Sequence, residues 1–479
     1  MIANPWTPYG LGDDPFFQEP LAPTEDPARP VSLFVGRVAE LQLLGGQIVG
    51  SRSSRAVVQG PAGVGKTSFV NRLKAAVAAH GVLTHAEPVR VQPGMSPRQF
   101  CGEVLRVLLQ IRATVGAAVA GTAPEAVGKG EAGQGGRRPR ARGAVRAVGD
   151  AVGSLVAGIA GDVGADLGGD DEAAFWRRIG RIVEGEDSVA AGIGVAGLSA
   201  QRERVRIPGE VGDLSLFAEV ERALALLAGG EDRRARGAGA RPAPRRVLVH
   251  VNNLENLSVE DARAAAVLMQ SVRDVFLAPH GHWLFVGAGD VERNVFRAAA
   301  QVSGIVPVAV TLEPLAPEEV AELLARRYAH LQRGRRLVPP ISPEVAAGLY
   351  ARYHGDLRNF LRLLSRAVQQ QAVHAPGVPL DEAGVVRMMA PVYWREAVAA
   401  LGAGDAEHLA AAYRGQSVGA ELRVADVAGR AGVTQAAASR LVQRLAASGA
   451  LAHARTAGKS VYYRLGAGDL SVALGLVPR

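Results

Sequence analysis

Cysteine is almost missing from this chain of 479 residues, with Cys101 the only one. A disulfide within the chain and any cysteine-based zinc cluster are thereby excluded, and the usage fits a reducing cytoplasm. Long apolar runs are missing too. No stretch reaches the roughly 18 uncharged apolar residues that a membrane-spanning helix needs, so no membrane partner is expected. The opening residues, MIANPWTPYGLGDDPFFQEP, have neither the basic start nor the apolar centre of a secretory signal. Aromatic residues are scarce at 5%. These absences predict a soluble cytoplasmic protein.

What is present is length, glycine and positive charge. The chain has room for two to four domains, and 48% of its residues are hydrophobic, enough for real cores. A formal charge of +8 makes polyanions plausible partners, although basicity alone discriminates weakly. The abundance of Gly, Ala and Arg resembles the codon usage of a GC-rich genome more than a physical signature.

Residues 1–30 carry many prolines and read as an extended arm. A helix follows in SLFVGRVAELQLLGGQIVG, and RAVVQGPAGVGKTSFVNRLKAAVAAHG reads as strand, loop and helix. Ser96 to Ile111 has helical spacing. From about 117 to 212 the pattern changes. GKGEAGQGGRRPRARGAVR sets six basic residues against Glu131, and the stretch after it is apolar but too rich in glycine for a firm helix. SVAAGIGVAGLSAQ alternates weakly, as a strand would. This region is expected to be an insertion, because the core pattern resumes beyond it. LSLFAEVERALALLA is helical, VLVHV and HWLFVGAG are strands, and SVEDARAAAVLMQSVRDVFL between them is a helix. The alternation predicts an α/β fold, a parallel sheet with helices on both faces, over residues 31–312. Helices take over in 313–392, and 393–479 form a further domain.

The sharpest motif is GPAGVGKTS. Gly60, Gly65, Lys66 and Thr67 satisfy the Walker A spacing G-x-x-x-x-G-K-[ST] in a strand–loop–helix context. Glycines let backbone N–H groups curl around phosphate oxygens, and the following helix presents its positive end. Gly60, Pro61, Ala62, Gly63, Val64, Gly65, Lys66, Thr67 and Ser68 are therefore the candidate cradle for ATP. Lys66 would reach the β- and γ-phosphates, and the Thr67 hydroxyl would ligate Mg²⁺.

In order, FVGRVAEL, the phosphate loop, LEPLAPEEVAELLARRY and GDLRNFLRLL resemble the AAA+ ATPases of the origin-recognition and initiator type, over roughly residues 31–375 without the insertion. The loop is specific, and the flanking motifs gain weight from their order. The resemblance implies an ATP-binding core with a helical lid. It makes Val35, Gly36 and Arg37 candidates for the adenine pocket, and Arg358 of GDLR the lid arginine that touches the γ-phosphate. It also implies an arginine lent to a neighbouring subunit, Arg293 or Arg297 in DVERNVFRAAA, and hence a nucleotide-dependent homo-oligomer. The polar residue expected at the end of that strand is missing from VGAGD, unless Asp290 stands in.

The same resemblance exposes a departure. Aligned on the strand, Asn252 and Asn253 occupy the Asp-Glu positions of Walker B, which hold the metal shell and polarise the attacking water. An amide brings no negative charge and cannot act as a general base, a loss that commonly costs about 10²–10⁴ in rate. Three readings stay open. The site binds ATP and turns over slowly as a switch; Glu255, two positions on, supplies the carboxylate; or the metal-binding strand lies elsewhere.

Near the C-terminus, LRVADVAGRAGVTQAAASRLVQRLAASGALAHARTAGKSVYYRL resembles a winged helix–turn–helix of the MarR type. Thr434 is placed to cap the second helix, and Val427, Ala428, Leu441 and Leu445 would form a small core. The resemblance puts that second helix in a major groove of double-stranded DNA, offering Gln435, Ser439, Arg440, Gln443 and Arg444. Arg455 and Lys459 would meet phosphates from a hairpin whose tip is TAGKS. The expectation is a nucleotide switch that controls a DNA-binding winged helix in a replication, mobile-element or defence role. The alternative is a signalling NTPase of the STAND type, whose winged helix serves protein packing; its usual long sensor would then be the insertion or a separate protein.

Overall fold

The computed structural model describes residues 4–23, 26–121, 170–191, 213–229, 245–254, 259–298, 300–334, 336–466 and 468–475. The chain divides into two compact units. One comprises Leu43–Gln59 and Ala76–Val310, the other Met1–Gln42, Gly60–Ala75 and Thr311–Arg479.

The first unit is built on a sheet. Helix α1 (Val38–Gly50) leads to strand β1 (Ser54–Gln59); α2 (Lys66–Ala78), after the phosphate loop, begins in the other unit and ends in this one. Then come β2 (Val82–Leu83), β3 (Val89–Arg90), α3 (Pro97–Gly121), α4 (Asp170–Ala191), α5 (Asp213–Gly229) and β4 (Arg246–Leu254). Helices α6 (Val259–Ser271) and α7 (Arg273–Leu277), β5 (Gly281–Gly287), a π-turn at Glu292–Phe296, α8 (Ala300–Ser303) and β6 (Val308–Thr311) complete it. The strand order is β2-β4-β5-β1-β6, with β3 also on β4. β1 runs parallel to β5, and β4 runs parallel to β5, β2 and β3. Strands covered on both faces are mostly apolar, as VLVHV and the wholly buried β5 are apart from His250 and His282. Phe276 centres the core on the helical side, with edge-on contacts to Phe100, Trp283 and Phe285 at 5.8, 5.1 and 5.1 Å. The helix expected over Ser258–Leu277 breaks at Val272 into two.

The insertion does not lie wholly outside the core. α4 falls within it and buries Phe175, Trp176 and Ile179 among α3 and α5. Their spacing, continued by half-buried Ile182 and Val183, is that of a helix face, and the glycines on either side mask it. SVAAGIGVAGLSAQ extends beyond the described residues.

The second unit is helical. It holds α9 (Pro317–Leu331), α10 (Pro343–Tyr350), α11 (Leu357–His374) and α12 (Glu382–Leu401). The N-terminal residues are not a free arm. Trp6, Tyr9, Leu11 and Phe16 are buried in the core that these helices form. Arg327 fixes them, donating to the Pro15 and Phe17 carbonyls and lying 3.8 Å from the centroid of the Phe17 ring. Prolines keep this segment out of helix, but its large apolar residues still drive it into the core.

The expected boundary at 392/393 falls inside α12. Pro391 does not end that helix, and Tyr393 packs in the lid core. The chain turns instead at Gly402, which has φ +82°. Beyond it lie α13 (Ala403–Tyr413), β7 (Leu422–Arg423), α14 (Val424–Ala431), α15 (Gln435–Ala447), β8 (Leu451–Ala457), β9 (Ser460–Leu465) and α16 (Gly468–Ala473). The Thr434 hydroxyl accepts from Ala437 N–H at 3.3 Å and caps α15, and Val427, Ala428, Leu441 and Leu445 are buried together. β8 and β9 are antiparallel, with Ala457 opposite Ser460, so the hairpin tip is Gly458-Lys459, shorter than TAGKS.

Candidate functional site

The loop between β1 and α2 turns on two glycines. Gly63 and Gly65 have φ of +77° and +93°, a region where a side chain strains the backbone. Val64 between them is buried and holds the loop down. Lys66, itself only 6% exposed, opens α2 and donates through Nζ to the Gly60 and Pro61 carbonyls, each at 3.0 Å. Pro61 and Ala62 are exposed at the crest, and Thr67 is half-buried in the first turn. The Ser68 hydroxyl faces another way, accepting from Leu21 N–H at 3.3 Å, while Asn71 donates to the Leu21 carbonyl at 2.7 Å.

Two other segments of the same unit close on this loop. Gly36 and Arg37 have φ of +72° and +57°, which lets the Arg37 guanidinium donate both to the Val64 carbonyl and to the Glu313 carbonyl. Burial pulls the Arg37 pKa down while Glu319 and Glu40 push it up, and the guanidinium stays a cation. Val35 is buried beside it. Gly36 lies so near Glu319 that a Cβ there would sit 2.2 Å from Oε1. Glu319 in turn accepts from Ala316 N–H at 2.8 Å and starts α9.

The second segment is the start of α11. The Asp356 carboxylate caps it, accepting from Asn359 N–H at 3.1 Å and from Asn359 Nδ2 at 2.6 Å. That carboxylate also lies against the phosphate loop, since a Cβ on Gly63 would be 2.2 Å from Asp356 Oδ1. Arg358 is exposed in the same first turn. Glu319 and Asp356 were not among the residues singled out from sequence. Asp356 had a readable signal, an Asp immediately before the apolar helical run LRNFL.

The end of β4 belongs to the other unit. The Asn252 carbonyl accepts from Val91 N–H at 3.1 Å, and its side-chain Oδ1 is buried with no donor among the described residues. Asn253 has φ +76°, which asparagine tolerates better than most residues, and its Nδ2 donates to the Val91 carbonyl at 3.1 Å. The register against β5 shifts between Val251 and Leu254, so the chain bulges there. Glu255 lies outside the described residues.

The arginines proposed for a neighbouring subunit differ in availability. Arg297 is paired with Glu292 of its own chain at 2.7 Å. Arg293 is 77% exposed and only 3.8 Å from Asp290. Asp290 accepts from Asn294 Nδ2 at 2.6 Å.

On the C-terminal module, Gln435, Arg440, Gln443, Arg444 and Lys459 are exposed and Ser439 is half-buried. Three of its arginines have acidic partners, and Arg423 meets Asp426 at 3.1 Å. Arg444 makes a two-pronged pair with Asp405 at 2.9 and 2.7 Å, which raises its pKa further. Arg455 meets Glu421 at 2.6 Å and lies 4.0 Å from the Tyr462 ring centroid. Arg440 and Lys459 have no acidic partner among the described residues.

Among the described residues no cluster of His, Cys, Asp and Glu could hold a metal ion, and no helix is long and apolar enough to cross a membrane. No family model matches the sequence, and no curated protein matches it. Solved structures resemble the chain distantly. The Aeropyrum pernix Orc1 protein in complex with DNA is 14% identical at TM-score 0.40, covering 92% of each chain. Cdc6p from Pyrobaculum aerophilum is 12% identical at TM-score 0.40, covering 97% of each. The Aeropyrum pernix Orc2 protein in its ADPNP–ADP complexes is 11% identical at TM-score 0.42, covering 96% of this chain and 95% of that one. The sheet order and loop geometry of the chain itself carry the fold, rather than likeness at this level.

Proposed function

We propose that the protein is an ATP-binding P-loop module of the AAA+ type with slow turnover, a nucleotide switch for a DNA-binding winged helix. The observation that carries the first half is the enclosure of the phosphate loop. Gly63 and Gly65 supply the left-handed turns, Lys66 is buried at the helix start, and Arg37 and Asp356 tie the loop to the lid. The residues fit a nucleotide triphosphate. Backbone N–H groups of the loop and of the first turn of α2 would hold its phosphates, with Lys66 as the cation. Arg358, exposed beside the loop contact, would report the γ-phosphate to the lid.

Mg²⁺ fits less completely. Thr67 would offer its hydroxyl, but a hydroxyl brings no charge. Bound nucleotide and metal would supply the reactive phosphoanhydride and its charge neutralisation. Asn253, already donating to Val91, offers no base, which supports slow turnover. For the second half, the exposed Gln435, Arg440, Gln443 and Lys459 support a groove-facing helix and a phosphate-contacting wing. The pairing of Arg444 and Arg455 with Asp405 and Glu421 favours the STAND-type alternative, a module that packs on protein. Arg293 rather than Arg297 is the better arginine to lend a neighbour in a homo-oligomer.

Equilibrium binding of a fluorescent ATP analogue with Mg²⁺ tests the reading. Wild type should bind and Lys66→Ala should not, because the phosphate-facing ammonium is gone. Equal affinity in the two would defeat it.

A further inference from the structure

The last described helix folds back onto the lid. α16 follows β9 and is short, yet Val472 is fully buried in the lid core. Gly468 starts it flat against Tyr353, where a Cβ would come within 2.5 Å of the ring. Asp469 then accepts one bond on each carboxylate oxygen, from Tyr353 Oη at 2.8 Å and from Arg362 Nη2 at 2.6 Å. Burial and the Asp469 charge hold the Tyr353 hydroxyl protonated, so it remains a donor.

Both donors flank the lid's contact with the phosphate loop. Tyr353 lies three residues before Asp356, the residue against Gly63, and Arg362 lies six residues after it on α11, about 9 Å along the axis. The C-terminal module meets the lid both through the chain at Gly402 and through α16. One attachment is covalent, through Gly402, where the backbone turns at φ +82° and nothing lies within 4 Å of the position a Cβ would take. The other is α16. One pivot permits rotation, whereas two fix a posture.

We infer that Asp469 is the positioning residue through which the phosphate loop sets the posture of the C-terminal module. A shift of Asp356 on nucleotide binding moves the start of α11, and Tyr353 and Arg362 carry it to α16 and so to the wing strand before it. The inference rests on the proposed nucleotide and DNA binding.

The test uses the full chain, a labelled random-sequence duplex read by anisotropy, and a non-hydrolysable ATP analogue with Mg²⁺. In wild type the analogue should change duplex affinity by about 5- to 150-fold, the usual span of coupling between sites. Asp469→Ala should shrink that change to within about twofold while leaving analogue affinity and nucleotide-free duplex affinity in place. Reversing the pair, Arg362→Asp with Asp469→Arg, should restore it. Coupling that survives Asp469→Ala, coupling that the reversed pair does not recover, or wild type that binds both ligands without coupling would each overturn the inference. Wild type that fails to bind the analogue or the duplex would instead remove the reading beneath it, and shows before any variant is made.

Discussion

Replacing Gly63 with alanine tests whether the phosphate loop and the lid are one device. The new methyl meets two costs. The backbone at φ +77° is left-handed, which charges an L-residue about 1–2 kcal/mol. The Cβ would also lie 2.2 Å from Asp356 Oδ1 and 3.0 Å from Cγ, so the carboxylate must swing away. Swinging breaks its bonds to Asn359 N–H and Nδ2, and losing such a cap costs about 0.5–2 kcal/mol. The sum is about 1.5–4 kcal/mol, and at about 2–4 °C per kcal/mol the melting temperature should fall by roughly 3–16 °C. If the loop escapes by rearranging, the loss appears as nucleotide affinity, at tenfold for about every 1.4 kcal/mol. Thermal unfolding and analogue binding, run on the same preparations, read both. Asp356→Ala removes the clash and the cap together, so the double variant should lose less than the sum of the singles, by about 0.5–3 kcal/mol. Strict additivity, or a Gly63→Ala protein that melts and binds like wild type, would refute the contact.

Three further outcomes are expected. Asn252→Asp with Asn253→Glu should raise ATP turnover by up to about 10²-fold, at a stability cost because the glutamate loses the Val91 bond and enters a left-handed conformation; brisk wild-type hydrolysis that collapses in Glu255→Gln would overturn the switch reading. Arg440→Ala with Lys459→Ala should weaken duplex binding and flatten its salt dependence by about two phosphates' worth, while Arg444→Ala does less because Asp405 already neutralises it; the reverse ranking in salt titrations would refute this assignment. Burial, with Arg246 and Arg55 nearby, depresses His282 to about 4. The unfolded state therefore takes up the proton first, and stability from this group is full above about 6.5 and lost as pH falls towards 4, at up to about 1.4 kcal/mol per pH unit. Urea unfolding of wild type and His282→Asn should diverge in slope across that window, and parallel profiles would exclude His282 as the source.

The parts legible in sequence were those written in local chemistry. The phosphate loop declares itself through glycine spacing, the sheet through apolar runs such as VLVHV, and Thr434 through its place before a helical run. What escaped depends on partners distant in sequence. Nothing near Asp405 announces that it neutralises Arg444, and nothing near Gly63 announces Asp356. The first thirty residues misled because proline density argues only against helix, whereas Trp6, Tyr9 and Phe16 are buried by helices more than 300 residues later. α4 escaped because its apolar face is short and lies between glycine-rich stretches.

That N-terminal packing bears on how the protein is made. The Tyr9 hydroxyl donates to the Val378 carbonyl across 369 residues of chain. At a synthesis rate of about 5–20 residues per second, the aromatic residues at the start wait roughly 20–70 s for the helices that bury them. Until then they are exposed on a nascent chain, a setting that favours aggregation and the attention of chaperones. The phosphate loop shares that unit and waits with them, although its own residues emerge early. The ATP binding proposed for the loop should therefore be among the last abilities the growing chain acquires, and a late one to return on refolding.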